Sequence, residues 1–170
     1  LLEGHSYTAV EKQAEVVVMG VPSVTPHGAT SLGNPLLTAA SAFGYQLGWH
    51  SGAPLFKKGG VVILLSPLAE RFDKPQHLPH ADFFDQVLAA ERDPLVIAGR
   101  FEGLFSGRPQ YVSAYRRRNA YHGLHPFISW YLTCNTLSRC SRVLAVGAAR
   151  RPAERLGFTP VATLEEALAV

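Results

Sequence analysis

Apolar and polar positions follow one another in blocks along this chain, and the blocks predict strands and helices in turn. Residues 16–19 form an unbroken apolar run, which is typical of a strand that is covered on both faces of a sheet. Residues 61–65 form a second run of this kind, and a third lies within residues 142–147. A short extended segment is predicted at residues 160–162.

Helical patterns separate the predicted strands. They cover residues 36–49, 81–90, 126–137 and 152–156. A last helix is predicted after Thr163, because Glu166 three residues later completes a capping box. Residues 99–118 are interrupted by glycine and proline and have no clear pattern. Strands that alternate with helices predict a single α/β domain over residues 1–170, with a three-layer, mostly parallel, Rossmann-like sheet and helices on both faces.

A long polar loop joins the first predicted strand to the first helix. Such connections usually run about 2–6 residues, and this one is longer. Asn34 is a candidate N-cap, because Pro35 occupies the first helical position. Ligands of open α/β sheets bind at the carboxyl ends of the strands, so we expect a ligand-binding surface here, although an ordinary connection is the alternative. The candidate binding residues after the first two strands are Thr25, His27, Thr30, Ser31, Asn34 and Ser66.

Four of the seven histidines form two pairs with a spacing of three, His77 with His80 and His122 with His125. The second pair stands at a predicted helix start, where free N–H groups favour an anion, so we include His122 and His125 among the binding candidates. Capping or packing is the alternative role. This spacing can also bring two imidazoles to one metal, but no HExxH pattern or cysteine pair accompanies them, and we predict no metal ligand in this chain.

Composition and charge limit the classes of protein. The chain is 47% hydrophobic and 17% charged, which is typical of a globular domain, and no apolar run reaches the roughly 20 residues of a membrane span. The net charge is +3, yet residues 103–153 contain no acidic residue and eight arginines. This imbalance favours an anionic partner. Because no nucleic-acid-binding motif is present, we predict that the partner is a small anion and not a nucleic acid. Because no apolar run is long enough to span a membrane, we also predict no membrane partner.

The two cysteines, Cys134 and Cys140, lie in one helical segment. Six residues at about 100° each place them on different faces of a helix, so we expect free thiols and a reducing compartment, the cytoplasm. The G-x-S-x-G motif of α/β-hydrolases and the G-x-G-x-x-G fingerprint of dinucleotide binding are both missing.

The order of several motifs resembles a known family. A Lys57-Lys58-Gly59-Gly60 turn leads into the second strand, and Gly123-Leu124-His125 leads into a helix. Near the end come LGFTP at residues 156–160 and TLEEAL at residues 163–168. In this order the motifs resemble the C-terminal domain of the lactate racemase family, which uses a nickel-pincer nucleotide, and the resemblance covers about residues 15–170.

The resemblance implies that this chain is the substrate-side domain of a nickel-pincer-dependent 2-hydroxy-acid racemase or epimerase. In that family an N-terminal domain supplies the cofactor lysine, the nickel-ligating histidine and two proton-shuttling histidines, and none of those motifs is visible here. We therefore expect no catalytic residue in this chain, no tightly bound cofactor and no activity of the chain alone. The missing initiator Met and the end of the sequence inside a helical pattern fit a piece of a longer protein.

The expected partners are the N-terminal domain of the same protein and a small anionic hydroxy acid. In the family, the loop and helix after the first strand contact substrate, which here means residues 25–36. The lactate enzyme has a Tyr-Gln pair and a lysine there, whereas this chain has Leu32, Gly33 and Asn34 and no lysine, which implies a different substrate. Two alternatives stay open: an α/β ligand-binding or interaction domain without chemistry, and a metal hydrolase that uses the histidine pairs.

Overall fold

The chain folds around a four-stranded, all-parallel sheet in the order β1-β2-β3-β4, as a computed structural model shows. The strands are β1 (Ala14–Gly20), β2 (Phe56–Leu65), β3 (Cys140–Val146) and β4 (Thr159–Val161). The structure describes residues 10–21, 31, 33–49, 52–73, 76–117 and 120–169. The predicted fold class, a three-layer α/β fold with a parallel sheet, is confirmed.

Seven helices accompany the sheet within the described ranges. They are α1 (Pro35–Ala39, continued by a π-helical turn over Ala40–Gln46), α2 (Leu78–Asp82, continued by a π-helical turn over Phe83–Val87), α3 (Pro94–Ser106), α4 (Pro109–Arg117), α5 (His125–Leu137), α6 (Arg150–Leu156) and α7 (Leu164–Leu168). The predicted N-cap of α7 is confirmed, because Thr163 Oγ1 accepts from the Glu166 N–H. The Glu166 carboxylate reaches back as in a capping box, but it accepts the N–H of Ala162, one residue before the N-cap.

The main core lies on one face of the sheet. There, alternate residues such as Val17, Val62 and Val143 pack against the helices. On the opposite face Ile63 and Leu144 pack against Ala167 of α7, which forms the third layer.

The prediction that residues 16–19 are covered on both faces is wrong for two of its members. Val16 and Val18 on the edge strand β1 are 48% and 46% exposed. The reason is the strand order: Ala167 of α7 packs against Ile63 of β2 and Leu144 of β3, whereas no described residue of the edge strand β1 belongs to this cluster. For the run over residues 61–65 the same prediction holds in the middle of β2, where Val62, Ile63 and Leu64 are buried, but not at its end, where Leu65 is 39% exposed.

Residues 99–118, for which the sequence shows no clear pattern, contain most of α3 and all of α4. Asp93 starts α3, since its Oδ1 accepts from the N–H groups of Leu95 and Val96 at 2.8 and 3.1 Å. Pro109 does not break a helix here but occupies the first position of α4, where its missing N–H costs nothing.

Helix α1 packs closely on α5 through its π-helical turn. A Cβ atom on Gly44 would stand 3.0 Å from Cβ of Leu132, so only glycine allows this approach without adjustment. Thr136 Oγ1 donates to the carbonyl oxygen of Phe43 at 2.6 Å, which satisfies a backbone acceptor at the turn. The two helices are therefore held at a short separation, and their N-terminal ends are positioned together.

Candidate functional site

The loops that leave β1, β2 and β3 begin side by side at the carboxyl edge of the sheet. Gly20 pairs with Leu65, and Leu65 pairs with Val146. The loops also contact one another further out, where the Arg71 N–H donates to the Gly33 carbonyl at 2.8 Å. Residues that follow these strands are therefore gathered along one edge, as the sequence predicts for a ligand-binding surface.

Helix α5 brings its first residue to the same edge. The helix is followed after two residues by β3, so its C-terminal end lies at the amino end of that strand. Its 13 residues span about 20 Å, and the seven residues of β3 span about 23 Å. From these lengths we infer that His125, the first residue of α5, lies near the carboxyl end of the sheet.

Three histidines and one tyrosine meet there, and we call His77, His80, Tyr121 and His125 the imidazole cluster. The Nε2 atom of His80 and the Nδ1 atom of His125 are 3.0 Å apart, a hydrogen bond between the two rings. The Tyr121 ring lies 4.3 Å from the His125 ring and 4.9 Å from the His80 ring, measured between centroids. His77 packs against both His80 and Tyr121 at 5.5 Å.

Hydrogen bonds from the segment between β2 and α2 hold the cluster in place. The ring Nδ1 atom of His77 accepts a hydrogen bond from the backbone N–H of Asp73 at 3.2 Å. The backbone N–H of His77 donates to the carbonyl oxygen of Asp73 at 2.8 Å. The Tyr121 N–H donates to the Gln76 carbonyl at 3.1 Å, which ties the approach to α5 onto the approach to α2. His77 and His80 are completely buried, whereas His125 and Tyr121 are half-buried, so the last two form the outer side of the cluster.

Asn34 caps α1 as the sequence predicts. Its Oδ1 accepts from the N–H groups of Leu36 and Leu37 at 3.1 and 3.3 Å, and the residue is completely buried. Its Nδ2 atom has no hydrogen-bond partner among the residues that the structure describes. Because a buried amide donor without an acceptor costs about 1–3 kcal/mol, this group is suited to donate to a bound ligand.

Ser66 and His122 take part in local turns. The hydroxyl oxygen of Ser66 accepts the Leu68 N–H at 3.3 Å and supports the positive φ of 39° at Leu68. His122 Nδ1 accepts the Leu124 N–H at 3.2 Å, in the turn just before α5. Each side chain keeps a polar atom for another partner, the hydroxyl proton of Ser66 and the Nε2 atom of His122.

The structure places five of the eight predicted binding residues. Ser31, Asn34, Ser66, His122 and His125 all lie in segments that follow β1 or β2 or that lead into α5. Thr25, His27 and Thr30 lie outside the described residues. The local bonds of Asn34, Ser66 and His122 show that these three also have a part in the fold, whereas His125 is joined to a residue 45 positions away.

Sequence reasoning noted His77 and His80 as a pair but did not select them, and it missed Tyr121. The available signal was the repeated spacing of three residues beside a proline at two helix starts. That signal predicts two imidazoles near each helix N-terminus. It does not say which pair meets which, and the structure shows that His80 of one pair bonds His125 of the other.

The arginines of the acid-free stretch are partly neutralised by acids from elsewhere in the chain. Arg108 lies 3.6 Å from Asp82, and Arg151 pairs with both Glu70 and Asp85. Arg116 and Arg117 are exposed at the end of α4, as expected of a solvated basic face. Support for an anion site therefore comes from the imidazole cluster and Asn34 rather than from net charge.

The cluster does not resemble a metal centre. Within the described ranges, no group of three or more His, Cys, Asp or Glu side chains could hold a metal ion. His80 and His125 direct a nitrogen at each other instead of at a common point. The described residues thus do not favour the metal-hydrolase alternative.

Gly123 controls where the residues before α5 can lie, and we expect Gly123→Ala to destabilise the protein by about 1–3 kcal/mol. A Cβ atom there would stand 2.4 Å from the Phe105 carbonyl oxygen, which is backbone and cannot move aside cheaply. Gly99→Ala is the matched control, because its Cβ would meet nothing within 4 Å inside a helix. The control should stabilise by up to about 1 kcal/mol. Urea unfolding measures the free energy of unfolding of both variants. If both substitutions change it in the same direction, the close approach of residue 123 to the Phe105 carbonyl does not limit the side chain at this position.

Known proteins add nothing to this geometry. Comparison with family models, curated proteins and solved structures finds no match. The resemblance to the lactate racemase family therefore stays a prediction, and the function is argued from the arrangement of side chains at the carboxyl edge.

Proposed function

We propose that this chain is the substrate-side α/β domain of a 2-hydroxy-acid racemase or epimerase whose N-terminal domain holds a nickel-pincer nucleotide. The observation that carries the proposal is the imidazole cluster at the carboxyl edge of a parallel sheet. The predicted binding residues that the structure describes lie in segments that follow β1 or β2 or that stand at the start of α5. The order of sequence motifs supports the same assignment.

The chemistry of the substrate explains why such donors are needed. Racemisation removes hydrogen from the carbinol carbon and returns it to the other face, so the carboxylate must be held still meanwhile. In this proposal Asn34 Nδ2 and the hydroxyl of Ser66 donate to the carboxylate and the substrate hydroxyl, and the half-buried imidazole of His125 contacts the substrate from the outer side of the cluster. Hydrogen bonds to a charged group contribute about 1.5–3 kcal/mol each, enough to orient a small acid.

The cofactor belongs to the other domain in this proposal. When bound, it would supply the centre that takes a hydride from the carbinol carbon and gives it back, while the proton-shuttling histidines that the resemblance assigns to the same domain would take and return the hydroxyl proton. As the resemblance implies, we assign the metal ligand to that other domain and not to this chain. Its own residues bind the acid, orient it and exclude water from its carboxylate.

We also propose that the protein works in the cytoplasm. Cys134 and Cys140 are free, but the prediction that one helical segment holds both is wrong, because Cys140 is the first residue of β3. Burial raises the pKa of the Cys134 thiol to about 12 and that of the Cys140 thiol to about 11, so both are protonated and unreactive near neutral pH. Among the described residues, none of the helices is long and apolar enough to cross a membrane.

A second candidate is a ligand-binding domain without chemistry. The full burial of His77 and His80 favours it, because hydrogen-bonded imidazoles inside a protein also serve as structural polar networks. In this alternative, the domain binds a carboxylate at the same edge and releases it unchanged.

The test is turnover by the full-length protein carrying its cofactor. We expect single enantiomers from a panel of 2-hydroxy acids to be converted into the other enantiomer, measured by chiral chromatography. Full-length protein prepared without cofactor is the control and should show no conversion. Binding of these acids in calorimetry without any conversion would overturn the racemase assignment and support the second candidate.

A further inference from the structure

Arg71 carries an uncompensated positive charge in the segment that leaves β2 at the carboxyl edge of the sheet. The residue is exposed, and its guanidinium has no ion pair and no hydrogen bond to any residue that the structure describes. Glu70, the acid next to it in the chain, pairs with Arg151 instead. The charge of Arg71 is therefore available to an anion that binds at this edge.

Hydrogen bonds hold the backbone on both sides of the Arg71 side chain. The Arg71 N–H donates to the Gly33 carbonyl at 2.8 Å, which ties the residue to the loop that leaves β1. Two residues later, the Asp73 N–H donates to the ring of His77 in the imidazole cluster. Arg71 is thus fixed between the loop that carries Asn34 and the cluster.

The side chain of Arg71 lies against Gly33. A Cβ atom at residue 33 would stand 2.6 Å from Cβ of Arg71 and 3.2 Å from both Cγ and Cδ. The carbon stem therefore runs across residue 33, and a glycine there leaves room for it. Arginine stems commonly pack in this way while the guanidinium stays in contact with water. The guanidinium, which follows Cδ directly, is thereby kept near Asn34, the next residue of the loop.

We infer that Arg71 binds the carboxylate of the substrate, together with the amide of Asn34. This inference rests on the proposed function, which places a small anionic acid at this edge. The planar guanidinium has N–H groups that match the two oxygens of a carboxylate, so the pair is both charged and oriented. Asn34 is completely buried, and its Nδ2 atom has no hydrogen-bond partner within the described ranges, so the amide adds a neutral donor near the charge. Arg71 thus selects an ionised acid over an uncharged analogue.

Glycolate tests the inference without turnover, because this smallest 2-hydroxy acid has a carboxylate and a hydroxyl group but no stereocentre. The full-length protein, labelled with ¹⁵N at its arginines, is titrated with glycolate and observed by nuclear magnetic resonance, and Arg71→Lys identifies the signal of residue 71. We expect a saturable shift of the Arg71 Nε–H signal. Glycolamide, the uncharged amide of the same acid, should cause no such shift. An Arg71 signal that glycolate leaves in place, or that both compounds move equally, would overturn the inference.

Calorimetry measures how much Arg71 contributes to the affinity for glycolate. In Arg71→Ala the affinity should fall by about 10-fold or more, because a charged pair of hydrogen bonds is lost. Arg71→Lys should recover only part of it, since an ammonium group cannot form the planar pair. Both variants keep the backbone N–H that bonds Gly33, so the loops stay joined.

Arg142→Ala is the matched control. Arg142 is likewise exposed and has no described ion pair, but it lies four residues before Val146 in β3, about 13 Å from the carboxyl edge. Salt screens exposed charges beyond about 10 Å, so the affinity should stay within about twofold. Unchanged affinity in folded Arg71→Ala would overturn the inference. If glycolate binding depends on Arg71 while no chiral acid is converted, the inference stands and the racemase assignment fails.

Discussion

Replacing Phe127 by alanine is expected to lower the free energy of unfolding by about 3–5 kcal/mol. Phe127 is 1% exposed and follows His125 and Pro126 at the start of α5. Its ring contacts those of Phe83 and Phe105, with centroids 4.7 and 5.1 Å away, at nearly perpendicular angles. Removing it leaves a cavity where α2, α3 and α5 meet, and the lost edge-to-face contacts add to the cost.

Ile128→Ala is the matched control for this prediction. Ile128 is the next residue of the same helix but is 57% exposed, so its loss should change the stability by no more than about 0.5 kcal/mol. Urea unfolding, followed by circular dichroism, compares the unfolding free energies of the two variants, provided that the dependence of this free energy on urea concentration is the same in both. If they differ by less than about 1 kcal/mol, the aromatic contacts do not stabilise this junction as described.

Replacing His125 by alanine is expected to reduce kcat/KM of the complete enzyme by roughly 10- to 100-fold. The estimate follows from losing one hydrogen bond to a charged substrate, about 1.5–3 kcal/mol, at about 1.4 kcal/mol for each factor of ten. Alanine also leaves the buried Nε2 atom of His80 without its partner in the cluster. His125→Gln keeps a polar end near His80 and separates this structural cost from the loss of a ligand contact.

Asn135→Ala is the control for activity, since Asn135 is exposed near the far end of the same helix. It should keep kcat/KM within about twofold, as expected of a surface substitution distant from the site. Thermal unfolding confirms that each variant is folded before its rate is compared. Wild-type activity in folded His125→Ala would remove His125 from the binding site and leave the cluster with a purely structural role.

The sequence by itself determined the features that depend on near neighbours. Unbroken apolar runs located β1, β2 and β3, because buried strands need apolar side chains at successive positions. The caps could also be predicted from the sequence, because the side chains of Asn34, Thr163 and Glu166 accept from N–H groups within four residues of themselves. The likeness of successive strands and helices to α/β units was enough to predict the parallel sheet.

Only the tertiary structure decided which faces are covered. The apolar run in β1 resembles that in β2, yet Val16 and Val18 are about half exposed because β1 is an edge strand that α7 does not reach. Strand order sets this difference, and it is not encoded in the local pattern of β1.

The tertiary structure also decided the composition of the site. Spacing alone paired His77 with His80 and His122 with His125, as neighbours along the chain. The folded chain joins His80 to His125 across 45 positions, with Tyr121 stacked against both rings. This pairing follows from the way α2 and α5 meet at the carboxyl edge of the sheet, because contacts between distant residues depend on how helices pack and not on periodicity within either helix.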